Sequence, residues 1–167
     1  MHYTVPSTGE VVKVYLFVAT LTFSQYSYVE ATKDMKMDTW INCNRHMFEY
    51  FGGSIVRVVC DNLKTGVVMH PKNGEIILTD TYSDFGNHYM TAIMPAQVRK
   101  PKQKASVEAT VGKIATVIIA SLRNREFNSF EELYKAVRER LEVFNSTPFQ
   151  KRDGSRKEVF EEVEKKT

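Results

Sequence analysis

The spacing of apolar and polar positions changes several times along the chain, and each change predicts an element. Residues His2 to Val5 and Val11 to Thr20 are rich in strand-forming types and flank the turn cluster Pro6-Ser7-Thr8-Gly9, which predicts a hairpin. From Val14 to Ala19 the second arm is apolar on both faces, as in a strand covered on each side. Tyr26 to Ala31 continue as a third strand and close an antiparallel meander. Asp38 predicts a helix N-cap, after which Trp40, Ile41, Met47, Phe48 and Phe51 recur at helical spacing until Gly52-Gly53 stops them. Ile55 to Cys60 is almost wholly β-branched and apolar. Joined to the meander through a helix, it predicts a buried, parallel central strand.

In the second half, Glu75 to Leu78 leads into a short helix over residues 79–88, and Ala92 to Met94 forms a brief strand closed by Pro95. From about Ala105 the residues Val107, Val111, Ile114, Ile118 and Leu122 make one unbroken apolar stripe at helical period. Ser129-Phe130-Glu131-Glu132 has the form of a capping box and opens a last helix with Leu133, Val137, Leu141 and Phe144 inward. Past Asn145 the chain turns polar. The domain is therefore expected to span 1–147, with 148–167 a polar exit segment or linker helix. The order β-β-β-α-β-α-β-α-α describes an α/β protein, a mixed sheet flanked by helices, and many functions share that description.

Composition narrows the picture modestly. A chain of 167 residues, 43% hydrophobic and 26% charged, suits one soluble globular domain. Its net charge of +3 is too small to establish nucleic-acid binding, but its position is informative. Arg99, Lys100, Lys102 and Lys104 fall within six residues, and Lys151, Arg152, Arg156 and Lys157 within seven. Cys43 and Cys60 lack metal-ligand spacing and read as reduced thiols of a cytoplasmic protein. The four histidines likewise show no ligand spacing. No charged-then-apolar leader and no membrane-length apolar run is present, so neither secretion nor membrane insertion is expected. The absence of a GxxxxGK[ST] loop argues against intrinsic nucleotide hydrolysis.

Two carboxylates stand out. Asp61 follows a predicted parallel strand, at the sheet edge where α/β proteins place ligands, although aspartate also favours strand ends for local hydrogen bonding. Glu108 is expected in the first turn of its helix, beside the Val107 and Val111 stripe, with Gly112 leaving room one turn on. Complementing the helix dipole would explain a glutamate there equally well. The preceding Arg99 to Lys104 segment resists burial, since four cations around a proline repel one another. It is expected to be a loop, either solvated or in contact with phosphates. Glu10 and Glu30 do not occupy the leading-strand position that a third carboxylate would need.

Longer strings carry a resemblance. Val59-Cys60-Asp61-Asn62-Leu63-Lys64-Thr65-Gly66-Val67, Tyr82-Ser83-Asp84-Phe85-Gly86-Asn87-His88-Tyr89, Pro95-Ala96 and Lys100-Pro101-Lys102-Gln103-Lys104-Ala105-Ser106-Val107-Glu108 resemble the integrase core of IstA-type insertion-sequence transposases. Phe144-Asn145-Ser146-Thr147-Pro148-Phe149-Gln150-Lys151-Arg152-Asp153-Gly154-Ser155-Arg156 is similar to the segment by which that core exits toward its next domain. The resemblance implies a ribonuclease-H-like fold with an Asp-Asp-Glu triad, in which Asp61 matches the second aspartate and Glu108 the glutamate, with 46 residues between them. The first aspartate is expected upstream of Met1, with Met1 to Val5 the remainder of its strand; no aspartate precedes Asp34, so this chain alone is expected to be inactive.

The family's implied chemistry is metal-dependent phosphoryl transfer, end cleavage and strand transfer, through Mg²⁺ or Mn²⁺. Two ions lie about 3.5–4 Å apart in such sites. The implied partners are transposon-end and target DNA, an AAA+ ATPase helper and further transposase subunits. Two alternatives stay open: a non-catalytic DNA-binding or transposase-assembly module of the same fold, and a nuclease that only hydrolyses.

Overall fold

The computed structural model describes residues 1–60, 67–69, 77–95 and 101–165, with only the backbone for 67–69, 77, 95 and 101–107. The chain divides into two compact units, Met1–Asp34 with Ala105–Thr167, and Met35–Lys104.

In the first unit, β1 (His2–Thr4) and β2 (Val11–Lys13) pair antiparallel with His2 opposite Lys13, around the predicted turn. Gly9 closes that turn at φ 68°, where a side chain would be strained. The expected single second arm is divided at Val14, whose N–H donates to the Met1 carbonyl, and resumes as β3 (Tyr15–Thr20). β3 pairs antiparallel with β4 (Ser27–Thr32), from Tyr15 opposite Thr32 to Thr20 opposite Ser27. Burial differs from expectation: within β3 only Phe17 is buried, whereas every residue of β4 is. The reason is α4 (Phe130–Ser146), which packs on β4.

That last long helix forms as its sequence predicts. The Ser129 hydroxyl accepts from the Glu132 N–H at 3.2 Å, while the Glu132 carboxylate reaches one residue further back, to the Asn128 N–H at 2.9 Å. Leu133, Val137, Leu141 and Phe144 are all buried. α3 (Pro101–Leu122) contributes Ile114, Ile118 and Leu122 to the same core.

The polar tail is not merely an exit. Pro148 bridges to Ser155, which caps α5 (Arg156–Val159) through a full capping box with Glu158. A π-helical turn over Phe160–Glu164 follows, and the buried Phe160 ring stacks on Tyr26 at 4.4 Å. An aromatic residue isolated in a polar stretch has no periodicity to announce it, so sequence patterning missed this contact.

The second unit is organised by aromatic packing. α1 (Met37–Phe51) ends at Gly52 with φ 84°, as predicted. Its N-cap, however, is Lys36, whose side chain does not cap the helix, and Asp38 sits inside the first turn, where it still favours the positive end of the helix dipole. β5 (Arg57–Cys60) is followed by the hairpin of β6 (Val67–Met69) with β7 (Ile77–Leu78), then α2 (Asp80–His88), capped by the Thr79 hydroxyl, and β8 (Ala92–Pro95). β5 and β8 run parallel, Arg57 opposite Ala92 and Cys60 opposite Pro95. The expected burial of β5 is only partial: Val56, just before it, is 82% exposed and Val59 48%, and β8 is its one hydrogen-bonded neighbour among the described residues.

Phe48 of α1 stacks on Phe85 at 5.6 Å and meets Tyr89 edge-on at 5.1 Å. Gly86 lets α2 close onto β8: a Cβ there would lie 2.9 Å from Ile93 Cδ1 and 3.0 Å from the Thr91 carbonyl oxygen. Gly86→Ala is therefore expected to destabilise the protein by about 1–3 kcal/mol. A chemical denaturation midpoint equal to that of the parent would refute this close approach.

Candidate functional site

Of the predicted site residues, Glu108 is described with its side chain and Lys102 and Lys104 by their backbone, and the setting of Glu108 differs from expectation. α3 begins at Pro101, not near Ala105, because proline's fixed φ and missing N–H suit the first helical position. Glu108 is thus the eighth residue of α3, two turns in, and no acidic residue occupies the first turn. The helix-dipole explanation for this glutamate falls away with that correction.

The Glu108 side chain is exposed instead of running along the core boundary. Val111, one turn later, is half-buried, and Ile114 is fully buried, so burial along α3 sets in only past Glu108 among the described side chains. Gly112 follows Glu108 by four residues on the same helix face. Among the described residues a Cβ at Gly112 would meet nothing within 4 Å, which leaves open space there on that face.

The basic run is also redrawn. Lys102 and Lys104 belong to the first turns of α3, so the expected loop is a helix at these two positions, while Arg99 and Lys100 lie outside the described residues. Lys104 and Glu108 are four apart on one helix, positions that share a face.

Asp61 lies outside the described residues, but the strand leading to it does not. β5 ends at Cys60, whose thiol is buried and unbridged. Tyr82 of α2 is buried in the same unit, and its hydroxyl is pushed up in pKa by burial first and by the neighbouring Cys60 second. The phenol consequently stays neutral, and the last residue before Asp61 is held against an uncharged core. Among the described residues no group of three or more His, Cys, Asp or Glu could hold a metal ion. A hard divalent cation takes carboxylate oxygens, and the exposed Glu108 beside the open Gly112 face fits that requirement.

The other carboxylates are accounted for differently. Glu30, in β4, is buried and accepts the Tyr28 hydroxyl at 2.7 Å. Burial, then this hydrogen bond, raises the Tyr28 pKa, so the phenol remains a donor to the glutamate. Glu10 is exposed beside the first turn.

No family model matches the chain. Solved structures establish the fold. The catalytic core domain of BIV integrase aligns with a TM-score of 0.66 at 11% identity, covering 98% of this chain and 92% of that one. The HTLV-2 integrase catalytic core domain in complex with magnesium, in its dimeric form, aligns at 0.65 with 18% identity, covering 96% and 90%. This protein therefore has the ribonuclease-H-like fold of integrase catalytic cores, as the sequence motifs imply.

Sequence relatives give the narrower placement. "Putative transposase y4bL/y4kJ/y4tB" of Sinorhizobium fredii is 36% identical over 96% of this chain, and "Putative transposase for insertion sequence IS408" of Burkholderia multivorans 38% identical over 91%. The transposase for insertion sequence element IS21 of Pseudomonas aeruginosa is 26% identical over 86%. The chain is a homologue of these insertion-sequence transposases with an integrase-core fold, and it spans only 31%, 29% and 38% of their respective lengths.

Proposed function

We propose that this chain is the catalytic core of a DNA transposase whose full-length form cuts transposon ends and joins their 3′-hydroxyls to target DNA. The observation that carries this reading is Glu108, an exposed carboxylate two turns into α3 with an open glycine face beside it, in a chain of integrase-core fold. Asp61, Glu108 and an aspartate on the leading strand would hold Mg²⁺ or Mn²⁺. The magnesium complex of the HTLV-2 core and the affinity of hard cations for carboxylate oxygen support that assignment. Bound there, such ions would supply Lewis-acid activation of the attacking oxygen and stabilisation of the leaving one in an in-line phosphoryl transfer, two ions serving the complete site.

The chain's own groups supply position and charge. Glu108 presents its oxygens from a rigid helix, and Arg99, Lys100, Lys102 and Lys104 contact phosphates and guide DNA toward it. The partners on this reading are transposon-end DNA, target DNA, an AAA+ ATPase helper and further copies of the transposase. Self-association is supported by the dimeric form of the HTLV-2 core.

The test is a strand-transfer assay in Mg²⁺ with labelled transposon ends and a chain extended upstream to include a leading-strand aspartate. Joined product is expected. Duplex binding without joining or cleavage would instead support the non-catalytic assembly module, and cleavage without joining a hydrolytic nuclease.

The basic run makes a separate prediction. Lys100→Glu with Lys104→Glu is expected to weaken duplex binding and to flatten its dependence on salt by about two counterions. An unchanged slope in a salt titration would assign both lysines to solvent.

A further inference from the structure

A groove of about 680 Å³ lies in the first unit, between the later turns of α3, the end of α4 and the tail. Among the described residues it is lined by five cations, Lys113, Arg140, Lys151, Arg152 and Arg156, and by no carboxylate. None of the five forms an ion pair among the described residues. We propose that this groove binds the phosphodiester backbone of DNA, as a second nucleic-acid surface on a face of α3 different from that of Glu108. The anion chemistry stands on the groove itself, whereas its assignment to DNA rests on the transposase reading above.

Arg156 supplies the main evidence. It is only 7% exposed, and its Nε is buried without a hydrogen-bond partner among the described residues. Among the described residues its guanidinium makes one hydrogen bond, a long one from Nη1 to the Phe144 carbonyl at 3.5 Å. The guanidinium is shelved on two rings, 4.0 Å from the Phe144 centroid and 5.0 Å from that of Phe149. Burial first, and Arg152 second, lower its pKa, so the charged form is disfavoured by both its surroundings and its neighbour. A buried cation is costly without a counter-charge, and an anion in the groove would relieve both penalties.

Arg152 is held in the same fashion. Its guanidinium lies 3.9 Å from the Phe149 centroid, and Nη2 donates to the Phe23 and Ser24 carbonyls at 3.4 and 3.3 Å. Two guanidinium forks on fixed aromatic shelves match the bidentate geometry of phosphate oxygens. The five cations come from α3, α4 and the tail, more positive charge than one phosphate ion would balance, which suits a polymer of phosphates better than one ion. Lys113, Val117 and Ser121 recur every four residues along one face of α3. At about 100° per residue, Lys113 is turned about 140° from Glu108, so one helix addresses nucleic acid on two sides.

The test is fluorescence anisotropy of the full chain with a short labelled duplex of arbitrary sequence, across a NaCl series. Lys113→Glu with Lys151→Glu, both exposed, should weaken binding about tenfold or more and reduce the salt slope by about two, with the thermal midpoint unchanged. Arg156→Lys, which keeps charge but removes the fork, should weaken binding less than Arg156→Gln. The control pair Lys13→Glu with Lys135→Glu changes net charge equally away from the groove and should leave the slope near that of the parent. Equal loss in the control pair, or an unchanged slope in the groove pair, overturns the proposal. Polyglutamate binding that exceeds duplex binding and is lost in the groove pair would also overturn it, in favour of an acidic protein partner. Inorganic phosphate that raises the thermal midpoint, with the duplex slope unaltered by the groove pair, would overturn it in favour of a single-ion site. Loss of joining in Asp61 and Glu108 variants with an intact groove slope would sustain both readings, whereas an unchanged slope in the groove pair alongside that loss removes only the groove.

Discussion

Replacing Glu108 by glutamine, or Asp61 by asparagine, is expected to lower strand joining by roughly a thousandfold or more, a loss of about 4 kcal/mol of transition-state stabilisation. Each change keeps the size of the side chain and removes its charge, so a divalent cation loses a ligand while the backbone is undisturbed. Glu108 is exposed, and stability should accordingly stay within about 0.5 kcal/mol of the parent. Duplex binding should also persist, because the basic run and the five-cation groove are untouched. The measurement is joined product in Mg²⁺ from an upstream-extended chain, with anisotropy and thermal melting alongside. Joining retained in both variants would remove these residues from the chemistry. Joining lost together with folding would make Glu108 a structural residue.

How much of this was legible in the sequence depended on the range of the forces involved. α4 was readable because its signals are local: Ser129 as cap, and Leu133, Val137, Leu141 and Phe144 at helical spacing. The start of α3 was misplaced because the apolar stripe begins at Val107, whereas Pro101 extends the helix through a basic stretch with no hydrophobic marker. That shift changed the chemistry, since it moved Glu108 out of the dipole-stabilised first turn. In the tail, Arg156 and Phe160 are single buried residues whose partners, Phe144 across the turn at the end of α4 and Tyr26 in a distant part of the sequence, follow no periodic pattern, so no local signal encodes such pairs. The parallel pairing of β5 with β8 is likewise long-range, although the strand before Asp61 was recognisable by its β-branched run. Asp61 and Glu108 each had an adequate local explanation. Their assignment to one site came from the long motif strings, not from geometry.

The second large effect concerns the end of α4. Asn145→Ala is expected to destabilise the protein by about 3 kcal/mol, because Asn145 is fully buried and serves both backbone groups of Ser27. Its Oδ1 accepts from the Ser27 N–H at 3.1 Å, and its Nδ2 donates to the Ser27 carbonyl at 2.8 Å. Ser27 is also fully buried, so truncation strands a donor and an acceptor away from water. Asn145→Asp should be more damaging still, since it places an acceptor against the Ser27 carbonyl and requires a buried charge or a protonated acid. Urea titration would order the three proteins, and a cost below about 0.5 kcal/mol for alanine would show that the pair contributes little. The effect should reach function through Phe144, the next residue, whose ring and carbonyl hold Arg156. At temperatures where Asn145→Ala remains folded, its duplex affinity should therefore fall more steeply on warming than the parent's, as the end of α4 loosens from β4 and the groove loses its shelf.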